Sequence, residues 1–169
     1  LVNIREATID DIEKISNLYI NNWKKTYIGL LPNKFLNDLD VNYGIKKWTE
    51  YFSKEKHNIF VAYEKEDFLG FVACKEDEEL KNCCYLDSLH VSELSRGQGI
   101  GRKLINTVGN YAYIKGYENI SICIVKGNDK AKRLYERMGA KHYKDFTDYF
   151  GDIESNSEKL IWNNLNSFK

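Results

Sequence analysis

The sequence predicts an α+β (mixed α/β) fold, organised as a single domain over residues 1–169. Three observations carry that expectation. Apolar residues recur at helical spacing near the start, three runs of strand character follow in the middle, and strand-like and helix-like segments alternate toward the end in a β–α–β–α–β order. A chain of 169 residues matches one domain of common size. A domain of that length buries roughly 70% of its unfolded surface, enough to hold a core without disulfides or a structural metal.

The elements follow in order. Val2 to Glu6 reads as an extended start. Thr8, followed three places on by Asp11, matches a capping box, and Ile12, Ile15, Leu18 and Tyr19 then recur at helical spacing. This predicts a first helix running to about Trp23. The stretch Tyr27 to Leu31 with Pro32 breaks it, and a second helical region is expected from about Asn33 to Phe52. Asn58–Tyr63 and Phe68–Cys74, joined by the polar turn Glu64–Asp67, read as a hairpin. After the acidic turn Glu76–Glu79, Cys83–Val91 makes a third strand. The segment Ser92–Gly101 leads into a helix with Ile100, Leu104, Val108 and Ala112 on one face, closed by Gly116. A strand at Asn119–Val125 passes through Gly127 to a helix from about Asn128 to Met138, stopped by Gly139. Ala140–Asp145 and Glu158–Trp162 are the expected closing strands.

Composition narrows the function classes. Acidic and basic residues balance at 25 each, and only five of the basic residues are arginine, so no basic field gathers nucleic acid or an anionic membrane. No apolar run approaches the roughly 18 residues of a membrane span, and the opening LVNIRE shows no signal-peptide pattern. A cytoplasmic protein with neither membrane nor nucleic-acid partner is expected. Cys74, Cys83, Cys84 and Cys123 form no C-x-x-C pair and have no histidine at zinc-ligand spacing. They read as reduced thiols, and no metal is expected.

The most informative segment is Arg96-Gly97-Gln98-Gly99-Ile100-Gly101-Arg102, between a strand and an amphipathic helix. Glycines at alternate positions let the backbone turn sharply and present consecutive N–H groups. The helix start adds unpaired donors and roughly half a positive charge. Together these make either a pyrophosphate cradle or a glycine-rich turn without a ligand. A Walker A loop fails on spacing, because five places after Gly97 stands Arg102. A Rossmann fingerprint fails too, since that position lacks the third glycine and the segment lies past mid-chain.

Here the chain resembles the GCN5-related N-acetyltransferase (GNAT) family. Arg96-Gly97-Gln98-Gly99-Ile100-Gly101 meets the constrained positions of that family's acetyl-CoA motif, and Asn128-x-x-Ala131-x-x-x-Tyr135-x-x-x-Gly139 matches a second element in the right order. The resemblance implies a central mixed sheet of six or seven strands with a splayed strand pair, flanked by about four helices. It also implies acetyl-CoA as co-substrate, without a metal. The backbone of Leu89, His90 and Val91 would pair with the pantetheine arm, and the Val91 N–H would face the thioester oxygen. The N–H groups from Arg96 and Gly97 through Gln98, Gly99, Ile100 and Gly101 to Arg102 would hold the pyrophosphate, with Asn128 binding the arm from the other side. Tyr135 matches the general acid that protonates the departing thiolate; without the motif it reads as an aromatic on a helix face.

The chain departs from the family at the base. Many relatives carry a glutamate where this sequence has Tyr85, which leaves Asp87 on the same strand, His90, or an amine that arrives neutral. Trp23, Tyr27 and Tyr149, with Phe150, form the expected acceptor corner. The activity implied is direct acetyl transfer to a primary amine of a small molecule. A protein N-terminal or lysine acetyltransferase, and a CoA-binding sensor without turnover, are the alternatives. A homodimer is compatible with each.

Overall fold

The computed structural model describes residues 1–150 and 152–168. Its helices are α1 (Ile12–Tyr27), α2 (Asn33–Asn37), α3 (Val41–Ser53), α4 (Ile100–Lys115) and α5 (Asp129–Arg137). Its strands are β1 (Asn3–Glu6), β2 (Asn58–Glu64), β3 (Asp67–Glu76), β4 (Cys83–Val91), β5 (Asn119–Val125), β6 (Lys141–Phe150) and β7 (Ile153–Trp162). The strands form one sheet in the order β1-β2-β3-β4-β5-β7-β6. Every neighbouring pair is antiparallel except β4 and β5, which α4 joins as a parallel crossover.

The alternation along the strands divides the core into two layers. On one face Val72, Leu86, Ile120 and Leu160 pack beneath Leu104, Ile105 and Val108 of α4, with Trp162 and Tyr135 at the edge. On the other, Ile59, Val61, Phe71 and Ala73 lie under the apolar stripe of α1 and the fully buried Trp48 of α3. Trp48 meets Tyr19 edge-on at 5.3 Å and Phe71 at 5.1 Å. Such pairs add roughly 0.5–1.5 kcal/mol each beyond the area they bury.

The expected capping start is present: the Thr8 N–H donates to Asp11 Oδ2 at 2.7 Å. The expected second helical region is two helices, which brings the helix count to five. Asp40 divides the region, because it is extended and its carboxylate accepts the Tyr43 N–H at 2.9 Å, capping α3. The closing strands are longer than expected. The outer strand β6 follows its pairing with β7 as far as Phe150, although its polar residues give no alternation to read.

Two features of β4 prepare the site. Cys74 faces Leu86 and Ala73 faces Ser88, so Asp87 is an extra residue bulged out of the ladder with β3. A bulge bends its strand and increases the local twist. Pairing between β4 and β5 runs from Cys83 opposite Asn119 to Leu86 opposite Ile122 and stops there, although the strands continue to Val91 and Val125. The splay begins where the bulge lies.

Candidate active site

Beyond the bulge, the ladder phase decides which backbone groups are free. Ser92 N–H donates to Leu69 O at 2.8 Å, so the alternation of an antiparallel pair turns the N–H and C=O of Leu89 and Val91 away from β3 and toward the gap. A cavity of about 890 Å³ occupies that gap. It runs without interruption from the start of α4 and α5 to the aromatic corner beneath α1 and α3.

At one end stands the glycine turn. Gly97 and Gly99 hold φ of +79° and +77°, a left-handed conformation that favours glycine. Gly101 has no such requirement: a Cβ there would make ordinary contact with Leu134 and Val91 at 3.7 and 3.8 Å. Two of the three glycines are therefore demanded by the backbone. Lys103 N–H bonds to Gly99 O at 3.0 Å and closes the first turn of α4, leaving the N–H groups of Ile100, Gly101 and Arg102 without an intrahelical acceptor. Donors in this arrangement, at the positive end of a 16-residue helix, fit a pyrophosphate.

The turn is tied to the strand by a residue that sequence reasoning missed. Asn22 of α1 is buried; its Nδ2 donates to Val91 O at 3.1 Å, and its Oδ1 accepts from Arg96 Nη2 at 3.1 Å. With Ser92 N–H held by Leu69, the peptide after Val91 is fixed at both ends. A sequence signal existed: Asn22 continues the Ile15–Tyr19 stripe as a polar residue where an apolar one is expected.

Tyr135 is 7% exposed, with its ring edge-on to Trp162 at 6.1 Å. Burial pushes its phenol well above the usual tyrosine value, and the nearby Tyr27 adds to this. Burial also raises the Tyr27 phenol, against a hydrogen bond from Asn128 that lowers it. Tyr27, Asn128 and Tyr135 thus line the cavity together, Tyr27 from the end of α1, Asn128 from the N-cap of α5 and Tyr135 from its last turn. Trp23 stacks obliquely on Tyr27 at 4.3 Å.

Asp87 lines the cavity from the bulge, and Asp148 of β6 lines its rim. His90 points under α1 and α3, stacked on Phe71 at 5.4 Å and edge-on to Tyr19 at 5.4 Å. Burial, followed by the charges of Arg96 and Lys47, pushes its pKa down to about 3. The His90 ring is packed between Phe71 and Tyr19, whereas Asp87 stands out of the β3–β4 ladder on the cavity wall and is the better placed of the two.

Of the expected site residues, Trp23, Tyr27, Asp87, Leu89, His90, Val91, Arg96, Gly97, Gly99, Ile100, Gly101, Arg102, Asn128 and Tyr135 share this cavity. Two stand apart. Gln98 is exposed at the apex of the turn with its side chain off the cavity wall. Tyr149 is 63% exposed and does not line the cavity, because the alternation of β6 turns its neighbour Asp148 inward instead. The Phe150 side chain lies outside the described residues. The cluster of metal-ligating types at His142, Asp145 and Glu158 is already bound into ion pairs, Lys126 on Asp145 at 3.0 Å and Lys132 on Glu158 at 3.0 Å.

Comparison with known proteins agrees with this geometry. The model of the acetyltransferase (GNAT) family matches residues 18–140, more than half of the chain. An N-acetyltransferase of Archaeoglobus fulgidus is 30% identical over 139 residues, covering 79% of this chain and 89% of the relative. Among solved structures, PaiA N-acetyltransferase of Thermoplasma acidophilum in complex with coenzyme A superposes with a TM-score of 0.72 at 17% identity, covering 94% of this chain and 98% of that one. Spermidine N-acetyltransferase of Vibrio cholerae with CoA and spermine also gives 0.72, at 18% identity over 95% and 94% of the two chains. The splayed strands, the turn that opens α4 and the matched residues agree: the chain belongs to the GNAT family of acetyltransferases.

Proposed function

We propose that this acetyltransferase moves the acetyl group of acetyl-CoA directly to a primary amine of a small molecule. One observation carries the reading. A single cavity joins the glycine turn, the free backbone edge of β4 and Tyr135 to an aromatic corner with carboxylates, so donor and acceptor can meet without an acyl-enzyme step. The donor set fits acetyl-CoA: N–H groups at Ile100 to Arg102 for the pyrophosphate, the edge at Leu89 for the pantetheine arm, the Val91 N–H for the thioester, and Asn128 opposite. Bound there, acetyl-CoA supplies a thioester, an acyl group already activated for attack by nitrogen.

The chain's own groups supply the rest. Val91 N–H donates to the thioester oxygen and stabilises the negative charge that grows on it. Asp87 accepts a proton from the amine, directly or through water. Tyr135 donates its proton to the departing sulfur, whose thiol pKa is about 8.5. A phenol held above its usual range carries its proton at neutral pH but is a weaker acid, so the transfer is drawn by the negative charge that grows on sulfur and not by the raised value. As nitrogen bonds to the acyl carbon the C–S bond breaks, and the products are an amide and a thiol.

The aromatic corner favours a small acceptor over a peptide. The segment after α1 folds back on itself, with the N–H groups of Leu30 and Leu31 both donating to Tyr27 O at 2.9 Å. Leu30 then reaches the start of α5 so closely that a Cβ on Gly127 would lie 2.8 Å from its Cδ2. This contact ties the segment after α1 to the start of α5 beside Tyr27, and we take that bracing to favour a compact acceptor. The solved Vibrio cholerae spermidine N-acetyltransferase with CoA and spermine supports a small amine as the acceptor class. Mass-spectrometric detection of acetylated product, with acetyl-CoA and a panel of small amines and short peptides, tests the proposal. Product from peptides alone would overturn it.

A further inference from the structure

The acceptor half of the cavity carries one cation, Lys47 of α3, that the transfer mechanism does not use. Its ammonium lies over the Tyr19 ring at 5.7 Å and the Trp48 ring at 5.1 Å. Half-buried at the cavity wall, it has no carboxylate partner among the described residues. Lys25, Lys56, Lys75, Lys126, Lys132, Lys144 and Lys159, in contrast, pair with acids. The other cations of the cavity, including Arg96 and Arg102, belong to the end where the pyrophosphate is placed.

Across the same wall lies Asp87. Lys47, Tyr19 and Asp87 all line this cavity, Lys47 with its ammonium over the Tyr19 ring. Rings alone do not discharge a half-buried ammonium, because a cation–π contact is worth only about 0.5–2 kcal/mol. The cavity thus presents a carboxylate from β4 and an ammonium from α3.

We infer that the acceptor is a small amino carboxylate, its amine toward Asp87 and its carboxylate paired with Lys47. This rests on the acetyl-transfer reading above. The same arrangement disfavours a linear polyamine, since a second ammonium in the place of that carboxylate would be pressed against Lys47. A carboxylate in that place forms a charge-assisted hydrogen bond and fixes the distance from its own amine to the reacting carbon.

Matched pairs test the inference. The wild-type protein is given acetyl-CoA with each of the twenty protein amino acids, with the amine left by removing its carboxyl group, and with spermidine. The expected result is that an amino acid is acetylated with kcat/KM higher than its decarboxylated partner by roughly 10- to 100-fold, the size of one hydrogen bond to a charged group. Lys47→Met should erase that ratio by raising KM for the amino acid and lowering it for the plain amine. Lys47→Arg should preserve it. A thermal melt confirms that each variant folds. Preference for spermidine or the plain amines, or a ratio that survives Lys47→Met, would overturn the inference and leave acetyl transfer standing. No product from any member, with acetyl-CoA bound, would overturn both.

Discussion

Asn22 offers the sharpest test of how the site is held. It is buried, and it alone bridges the Val91 carbonyl and the Arg96 guanidinium, each at 3.1 Å. Asn22→Ala leaves a carbonyl of the β4 edge without its donor, at a cost of about 1–3 kcal/mol. Urea unfolding should report a loss of that size. The functional loss should be larger in kcat than in cofactor affinity, because displacing a reacting group by about 1 Å costs up to ~100-fold in rate, and the Val91 N–H sits on the same residue as the freed carbonyl. Asn22→Asp separates the two bonds. It keeps an acceptor for Arg96, so acetyl-CoA affinity should stay near wild type, but it sets a carboxylate oxygen against Val91 O, so kcat should still fall. Steady-state kinetics and calorimetric CoA binding measure the two effects. A stability loss with kcat unchanged in both variants would refute the positioning role and leave Asn22 as packing alone.

Three further outcomes are expected. Tyr135→Phe should lower turnover by roughly 10²- to 10⁴-fold, the range for general acid catalysis, with CoA affinity nearly intact; unchanged turnover removes Tyr135 from the mechanism. His90 should stay neutral across pH 5–9, since its pKa is pushed down to about 3, and an NMR titration of its ring with a midpoint near 6.5 would contradict the packing of Tyr19 and Phe71 around it. Asp11 is buried, which alone would raise its pKa, but the Arg5 fork, the Thr8 N–H and the Tyr63 hydroxyl outweigh burial and bring it down to about 2. A carboxyl depressed in the folded state stabilises above its unfolded value of about 3.8, and that contribution disappears as pH falls from about 4 through 2. It amounts to at most about 2 kcal/mol, so the gap between wild type and Asp11→Asn in unfolding free energy should narrow over that interval; a constant gap would refute the coupling.

Element types and the cofactor end were readable because each is written locally. Ile100, Leu104, Val108 and Ala112 share one face of a helix by spacing alone, and Gly97 and Gly99 stand where a left-handed turn opens that helix. The acceptor end was less readable, since it is assembled from residues far apart in sequence. Lys47 and Asp148 look, in the sequence, like ordinary surface polar residues, and Asn22, from a third element, is marked only by its polar place in an apolar stripe. The exposed Tyr149 was chosen for its ring, whereas the sheet's alternation turns Asp148 to the cavity. The bulge at Asp87 has no sequence signature of its own, because nothing in CCYLDSLHV says which residue the neighbouring strand will skip.

That bulge links the two halves of the site. A regular β4 would continue its parallel pairing with β5 past Leu86 and leave no gap, and Asp87 would alternate with its neighbours instead of standing out of register. One extra residue therefore bends the strand, ends the pairing and places a carboxylate at the point where the strands part. The edge of β4 proposed to receive the thioester and the carboxylate proposed to accept the amine's proton would then have a common origin. Removing the bulge by deleting Ser88 would be expected to affect both at once: CoA affinity would fall as β4 and β5 re-pair, and turnover would vanish, whereas Asp87→Asn should lower turnover alone. Equal CoA affinity in the deletion and in Asp87→Asn, with both folded, would show that the splay is set elsewhere.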